Sequence, residues 1–465
     1  MPTEQQLALL ISTYDLGHQP FALASPAAWL GAAGARVVCN DLAVEPLDEA
    51  AVRTARLIAV HLPMHTATRL AGELTPRLKA LNPKAQLCFF GLYAPMNEDY
   101  LRSLGGDSVL GAEFEAALVA TYRAATTGEA LPQPGNLDKL AFLTPDRVGL
   151  PGLEHYAKLR LPDGSERLSG YTEASRGCKH RCRHCPVVPV YDGRFRVIER
   201  DVVLADVRQQ VAAGARHISF GDPDFLNGPG HALALIEDLH AEFPGLTYDV
   251  TIKVEHLLRH EAALPKLRRT GCLFVISAIE SFEDGVLERL DKGHTRAQAL
   301  AAVELLRGGG LDLSPTFVPF TPWTTLEGYR GLLSDIVALD LVAAVAPVQL
   351  ALRLLVPAGS LILELDDWPR FAGAYDAENL TYAWRNPDPA VDTLQGEIMA
   401  LVADGEAAGE ERHSLFGRLW RRVHESLGET APPLPPGRTG AVPSLSEGWY
   451  CCAEPSENLM RAAQV

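Results

Sequence analysis

Short apolar runs alternate with amphipathic stretches through the first 130 residues. The runs "LALLIST", "ARVVCN", "LIAVHL" and "QLCFFG" are separated by "PAAWLGAAG", "LDEAAVRTA" and "TATRLAGELTPRLKALN". Apolar runs of strand length between helix-like stretches read as parallel strands covered on both faces. The pattern predicts a small doubly wound, Rossmann-like α/β domain over 1–130. A stretch rich in Pro and Gly, without strong periodicity, follows, and 131–167 reads as a linker. The alternation then resumes with "GYTEAS", "HISFGD", "TYDVTIKV", "CLFVISAIE", "LSPTFVPF" and "VQLALRLL". Six strand-helix repeats fall short of the eight of a closed TIM barrel, so 168–365 is expected to be a partial (β/α)6 barrel. Helical spacing in "AVDTLQGEIMALVADGEAAGEERHSLFGRLWRRVHESLG" predicts one or two helices in an extension over 366–428. The remaining residues, 429–465, read as a Pro-rich extended arm and tail ending in "WYCCAEPSENLM" and a few further residues.

Composition narrows the class. Hydrophobic residues at 47% and charged residues at 22% are those of a globular chain, and 465 residues suggest two or three domains. Basic residues number 42 against 58 acidic ones, a formal charge of −16. That balance argues against nucleic-acid or anionic-membrane partners. No apolar run approaches the ~20 residues of a membrane span, and the start lacks a secretory pattern. A cytoplasmic protein is expected.

Of eight cysteines, Cys39, Cys88 and Cys272 sit inside strand-like runs, where a buried inert thiol is expected. Cys178, Cys182 and Cys185 stand within "GCKHRCRHCP", a C-x3-C-x2-C spacing too short to spread over separate elements. One loop must therefore wrap a metal. Thiolates favour iron-sulfur clusters or zinc. Three ligands on a four-iron cube leave one iron with an open coordination position, while zinc would need a fourth ligand such as His180 or His184.

The motif resembles that of the radical S-adenosylmethionine (radical SAM) superfamily, with His184 in the position usually held by an aromatic residue. The placement of the loop after the first strand of a partial barrel is similar as well. This resemblance implies a [4Fe-4S] cluster on Cys178, Cys182 and Cys185 and S-adenosylmethionine (SAM) chelated at the open iron. It implies reductive cleavage of a carbon-sulfur bond, an electron donor such as flavodoxin or ferredoxin, and hydrogen abstraction from substrate. It also implies roles for residues at strand ends. Gly221, Asp222, Pro223 and Asp224 in "FGDPDF" match the acidic turn that meets the SAM amino group. Lys253 matches a basic residue toward the SAM carboxylate, and Ser277 and Glu280 match groups near the ribose.

A doubly wound domain ahead of such a core looks like the cobalamin-binding arrangement, and Gly111, Glu113 and Glu115 in "VLGAEFEAAL" are similar to its acidic closing segment. The D-x-H-x-x-G loop of that domain is missing; "YDLGHQP" offers Asp15 and His18 at another spacing. Cobalamin is then either bound without a histidine ligand or not bound, and His18, His61 and His65 read as ordinary polar residues.

The tail "YCCAEP" resembles a subgroup of radical SAM proteins with a CUAEP or CCAEP ending. Adjacent Cys451 and Cys452 are poor disulfide partners and good soft ligands. They are expected to hold or relay a small thiophilic substrate such as arsenite, with Trp449, Tyr450, Glu454 and Pro455 shaping the arm. The sharpest expectation is transfer of a SAM-derived 3-amino-3-carboxypropyl group to arsenite. Cobalamin-dependent radical methylation and a thiolate metal-binding or sensor protein are the alternatives.

Overall fold

The computed structural model describes residues 5–111, 113–131, 137–437 and 442–447. The N-terminal sheet contains β1 (Leu7–Ser12), β2 (Arg36–Asp41), β3 (Leu57–His61), β4 (Gln86–Phe90) and β5 (Ser108–Leu110), in the order β2-β1-β3-β4-β5. All four pairings are parallel. Alternate residues serve two cores: Leu9, Ile11, Val60 and Phe89 enter one, and Ala8, Leu10, Ala59 and Phe90 enter the other. Burial on both faces explains why these strands read as unbroken apolar runs. The strand order reverses between β1 and β3, which opens a crevice at the carboxyl ends of those strands.

The second sheet contains β6 (Lys158–Arg160), β7 (Glu166–Thr172), β10 (His217–Phe220), β11 (Thr247–Thr251), β12 (Cys272–Glu280), β13 (Asp312–Phe317) and β16 (Ser444–Leu445), in the order β13-β12-β11-β10-β7-β6-β16. Its five strands from β7 to β13 pair in parallel. The sixth repeat contracts: "VQLALRLL" begins as a 3-10 turn at Pro347–Leu350, and only a bridge between Phe320 and Arg353 continues the sheet. Proline lacks the donor that a ladder needs, so Pro347 starts a turn. The opposite edge gains two antiparallel strands, β6 and β16. The first of these comes from the segment read as a linker, whose Asp163–Gly164 turn makes a hairpin with β7.

A short ribbon of β8 (Ser175–Gly177) and β9 (Phe195–Val197) brackets the cysteine loop. Beyond the barrel, β14 (Ala372–Asp376) and β15 (Thr381–Trp384) form a hairpin ahead of the helices Pro389–Ala407 and Arg412–Ser426. The Pro-rich arm lies along the second helix, where Trp420 Nε1 donates to the Pro432 carbonyl at 2.9 Å. It then pairs with β6 through β16. Among the described residues no helix is long and apolar enough to cross a membrane.

Candidate active site

The cysteine loop is built from its backbone outward. Gly177 adopts φ +75°, and a Cβ there would lie 2.5 Å from the Arg194 carbonyl oxygen and 2.5 Å from the Tyr191 ring. Only glycine lets the β8–β9 ribbon close this tightly before Cys178. We expect Gly177→Ala to lower thermal stability by about 1–3 kcal/mol and to reduce iron retained after anaerobic reconstitution; differential scanning fluorimetry and iron assay check both.

Three further anchors hold the loop. Asn227, fully buried, accepts from Lys179 N at 3.2 Å and donates to the Gly177 carbonyl at 3.4 Å. Arg183 N donates to the Leu290 carbonyl at 2.9 Å, and Ser360 Oγ donates to the Arg183 carbonyl at 3.1 Å. Cys178 and Cys182 are buried and not disulfide-linked, and burial pushes the Cys178 thiol up to about 12. Without a metal the thiolate form is disfavoured there, so metal binding must supply the charge compensation. Lys253 supplies part of it, with Nζ 3.4 Å from Cys182 Sγ.

The residues expected around SAM fall into two groups. Lys253, His184 and Glu280 gather beside the cysteines. Glu280 sits at φ +65°, a conformation that costs a non-glycine residue of order 1–3 kcal/mol and clusters at functional sites. Its Oε1 lies 3.2 Å from His184 Nε2 and 3.2 Å from Lys292 Nζ. Burial opposes its ionisation, but Lys292 and His184 outweigh that and hold the carboxyl at about 2. Lys292, buried and raised by Glu280 and by Cys182 and Cys185, stays charged. Asp222 and Ser277 instead face the scaffold. Asp222 accepts from Ala174 N at 2.9 Å and Ser175 Oγ at 2.5 Å, bracing the strap into β8. Ser277 Oγ donates to the Ile252 carbonyl at 2.7 Å. Gly221 is needed for packing, because a Cβ there would lie 1.8 Å from Tyr171 Oη. Asp224 is turned toward His180 and His256.

Sequence reading missed Lys292 and His294. Their signal was "LDKGHT", two basic residues around a glycine shortly after β12. Both ring nitrogens of His294, and Nδ1 of His184, are buried without a hydrogen-bond partner. Such orphans are few in native proteins and need an explanation. Three thiols on one loop, two buried lysines and orphaned imidazole nitrogens form a polar cradle that fits a thiolate-ligated cluster with a zwitterionic ligand beside it.

A family model described as the radical SAM superfamily matches residues 172–327. The chain contains a radical SAM domain. That assignment accounts for the loop position after β7 and makes the [4Fe-4S] cluster and SAM the cofactors of the domain. The radical SAM sequence is similar to ribosomal protein uS12 methylthiotransferase RimO of Geobacter sulfurreducens, at 27% identity over 203 residues, 40% of this chain and 43% of that protein. It is also similar to the bacteriochlorophyllide d C-12(1)-methyltransferase of Chlorobaculum tepidum, at 30% identity over 133 residues, 28% of each chain. The chain thus spans less than half the length of either relative. Among solved structures, the cobalamin-dependent radical enzyme OxsB with aqua-cobalamin and SAM bound matches with a TM-score of 0.69 at 13% identity, covering 91% of this chain and 74% of that one. The radical SAM methyltransferase TsrM of Kitasatospora setae matches with a TM-score of 0.59 at 18% identity, covering 72% of each chain. At these identities the likeness is one of fold, extending over both domains for OxsB.

The crevice between the domains tests the cobalamin expectation. Glu113 and Glu115, which resemble a cofactor-binding segment, are both spent on Arg176, whose Nη1 lies 3.3 Å from Glu113 and Nη2 2.7 Å from Glu115. Glu173 adds a contact at 2.6 Å, and the guanidinium lies over the rings of Phe21, Phe114 and Phe142. The cavity left beside them, lined by Asp15, His61, Leu92, Tyr171, Glu173 and Arg176 among others, is about 160 Å3. Pockets for drug-sized ligands run to roughly 300–1,000 Å3, and a corrinoid is larger than most such ligands. With Arg176 in this arrangement, a corrinoid would need more room than the cavity offers. His18 stacks on Tyr171 at 4.6 Å, and burial lowers its ring to about 4. His65 lies against the Asn379 carbonyl at 2.6 Å. His61 is buried against Phe90 at 5.2 Å.

Proposed function

We propose that this radical SAM enzyme transfers a SAM-derived group to a small substrate held at the barrel mouth. The observation that carries the reading is the convergence of Lys253, Lys292, Glu280, His184 and His294 on the cysteine loop. Cys178, Cys182 and Cys185 would hold the [4Fe-4S] cluster, which would supply the electron for reductive cleavage of a SAM carbon-sulfur bond. The protein's part is electrostatic and positional. Lys253 and Lys292 offset thiolate charge, and Lys253 also matches the family's basic residue toward the SAM carboxylate. Glu280, kept ionised by Lys292 and His184, offers an acceptor toward the ribose. Asp222 acts through its neighbours, fixing the strap that delivers Cys178, while Gly221 and Pro223 shape the turn beside it.

The substrate reading rests on the tail. Cys451 and Cys452 lie outside the described residues, as do Trp449, Tyr450, Glu454 and Pro455. The last described residue, Glu447, receives a hydrogen bond from Tyr14 Oη and packs on Gly17 in the loop after β1. Cys451 follows four residues later, a reach of at most about 14 Å. That loop also carries Asp15 and His18, which meet the barrel strand β7 at Tyr171. The proximity supports a tail that presents substrate over the mouth. Arsenite as substrate, and the 3-amino-3-carboxypropyl radical as transferred group, rest on the soft ligand pair and the resemblance of the tail; no relative named above has a function involving arsenic. The net charge of −16 favours a small molecule over a ribosomal substrate such as that in the name of the uS12 methylthiotransferase. An electron donor such as flavodoxin or ferredoxin completes the reaction.

A second reading, cobalamin-dependent radical methylation, is favoured by the two-domain likeness to OxsB and requires the Arg176 crevice to open. The test is product analysis with reductant, SAM and arsenite. We expect 5'-methylthioadenosine and an arsenic-carbon product in the wild type. Cys451→Ser and Cys452→Ser should retain cluster and uncoupled SAM cleavage but lose the product. Undiminished product from the double variant removes the tail from the mechanism, and a methylated product formed only with added corrinoid favours the second reading.

A further inference from the structure

His180 stands in the middle of the cysteine loop, Asp224 follows β10, and His256 lies on the helix Val254–Arg259 after β11. These three segments come from three separate βα connections, yet His180 Nε2, Asp224 Oδ2 and His256 Nδ1 point into one place. Asp224 Oδ2 is 2.7 Å from His256 Nδ1 and 3.6 Å from His180 Nε2, and all three ligand atoms lie within 4.8 Å of one another. Asp224 is wholly buried and His256 is 3% exposed.

Distance alone would suggest a hydrogen-bonded aspartate with two histidines. Direction argues otherwise: each of the three atoms is buried without a hydrogen-bond partner of acceptable geometry. The three atoms are instead gathered closely enough to share one ion. Ligand bonds of about 2.0–2.2 Å put neighbouring ligand atoms about 2.8–3.6 Å apart in octahedral or tetrahedral geometry, and the two separations from Asp224, 2.7 and 3.6 Å, lie close to its ends. The outer shell agrees as well. The other ring nitrogen of His180, Nδ1, lies 3.4 Å from Glu255 Oε2, the carboxylate-histidine relation that orients metal-bound imidazoles. Glu255 is in turn held by Arg259. The other oxygen of Asp224, Oδ1, is fixed by Leu226 N at 3.2 Å.

We propose that His180, Asp224 and His256 form a second, mononuclear metal site, separate from the cluster, for a divalent first-row transition ion. Two imidazoles and one carboxylate suit Zn2+ or Fe2+; Mg2+ and Ca2+ prefer all-oxygen shells. The ion ties the centre of the cysteine loop to the ends of two barrel strands. The site also gives His180 a task other than completing a zinc centre with the thiols, and it stands independently of which substrate the enzyme uses.

The test uses the full chain with Cys178, Cys182, Cys185, Cys451 and Cys452 replaced by Ala, stripped with chelator and titrated anaerobically with Co2+ and then Zn2+. One ion per chain should bind, with weak cobalt d–d bands and no thiolate-to-cobalt charge transfer. Glu255→Gln should weaken Zn2+ binding roughly 10–100-fold, and His256→Ala or Asp224→Ala should abolish stoichiometric binding. If the chain lacking these five cysteines does not fold, the reconstituted wild type decides. It should hold one Zn2+ with only nitrogen and oxygen neighbours by X-ray absorption, lost in His256→Ala at unchanged iron and sulfide. No stoichiometric ion in either protein, or equal binding by the His256 and Asp224 variants, overturns the site.

Discussion

Replacing Cys178, Cys182 and Cys185 together with Ala is expected to abolish the anaerobic brown chromophore, bring iron and sulfide to background and eliminate SAM cleavage. The effect is total because one loop carries all three thiols and its surroundings are shaped around them. Lys253 contacts Cys182, and the charge of Lys292 is stabilised in part by Cys182 and Cys185. A missing cluster leaves both lysines buried beside neutral methyl groups, so the variant also loses some thermal stability. Its fold should persist, because the core beneath the loop is formed by buried side chains such as Ile218, Val250 and Val275. Iron and sulfide assay, optical spectra and circular dichroism separate cluster loss from unfolding.

Arg176→Ala is expected to produce the largest change in stability. The side chain is 7% exposed, and Glu113, Glu115 and Glu173 converge on it. Burial alone would favour neutrality, but these carboxylates outweigh it and hold the guanidinium charged. Removing one partner of a buried ion group costs about 3–5 kcal/mol, because the remaining charges are left uncompensated. Here the loss falls on the seam between the domains, two residues before Cys178, so cluster retention should fall with stability. Changing Arg176 to Met together with Glu113→Gln and Glu115→Gln should recover much of the stability, since apolar or neutral replacements of a whole ion group are often tolerated. Thermal denaturation of the single and combined variants checks both statements.

The apolar runs made β1 to β4 legible, because strands buried on both faces leave a continuous signal; "LALLIST" contains Leu7–Ser12 and "QLCFFG" contains Gln86–Phe90. The barrel was readable through its βα rhythm. The sixth repeat was over-read because an apolar run does not show where Pro347 starts a 3-10 turn. The β14–β15 hairpin escaped notice because Ala372, Gly373, Ala374 and Tyr375 are exposed and carry no buried alternation. At the site, the cysteine loop was legible because its ligands are adjacent in sequence. The partners of Asp222 are 47 and 48 residues away, and spacing cannot reveal that its carboxylate braces a strap. Glu113 and Glu115 were visible as a motif, but their partner Arg176 lies 61 to 63 residues on and in another domain. His180, Asp224 and His256 meet only because three βα connections end at one mouth.

The most direct test of the central claim is to incubate anaerobically reconstituted wild-type protein with reductant and SAM and follow the nucleoside products by mass spectrometry, beside iron and sulfide analysis. The account predicts a four-iron, four-sulfide cluster and a SAM-derived nucleoside that forms only with reductant and is missing from the three-cysteine variant. Zinc bound at the three cysteines without inorganic sulfide, with SAM left intact, would contradict it.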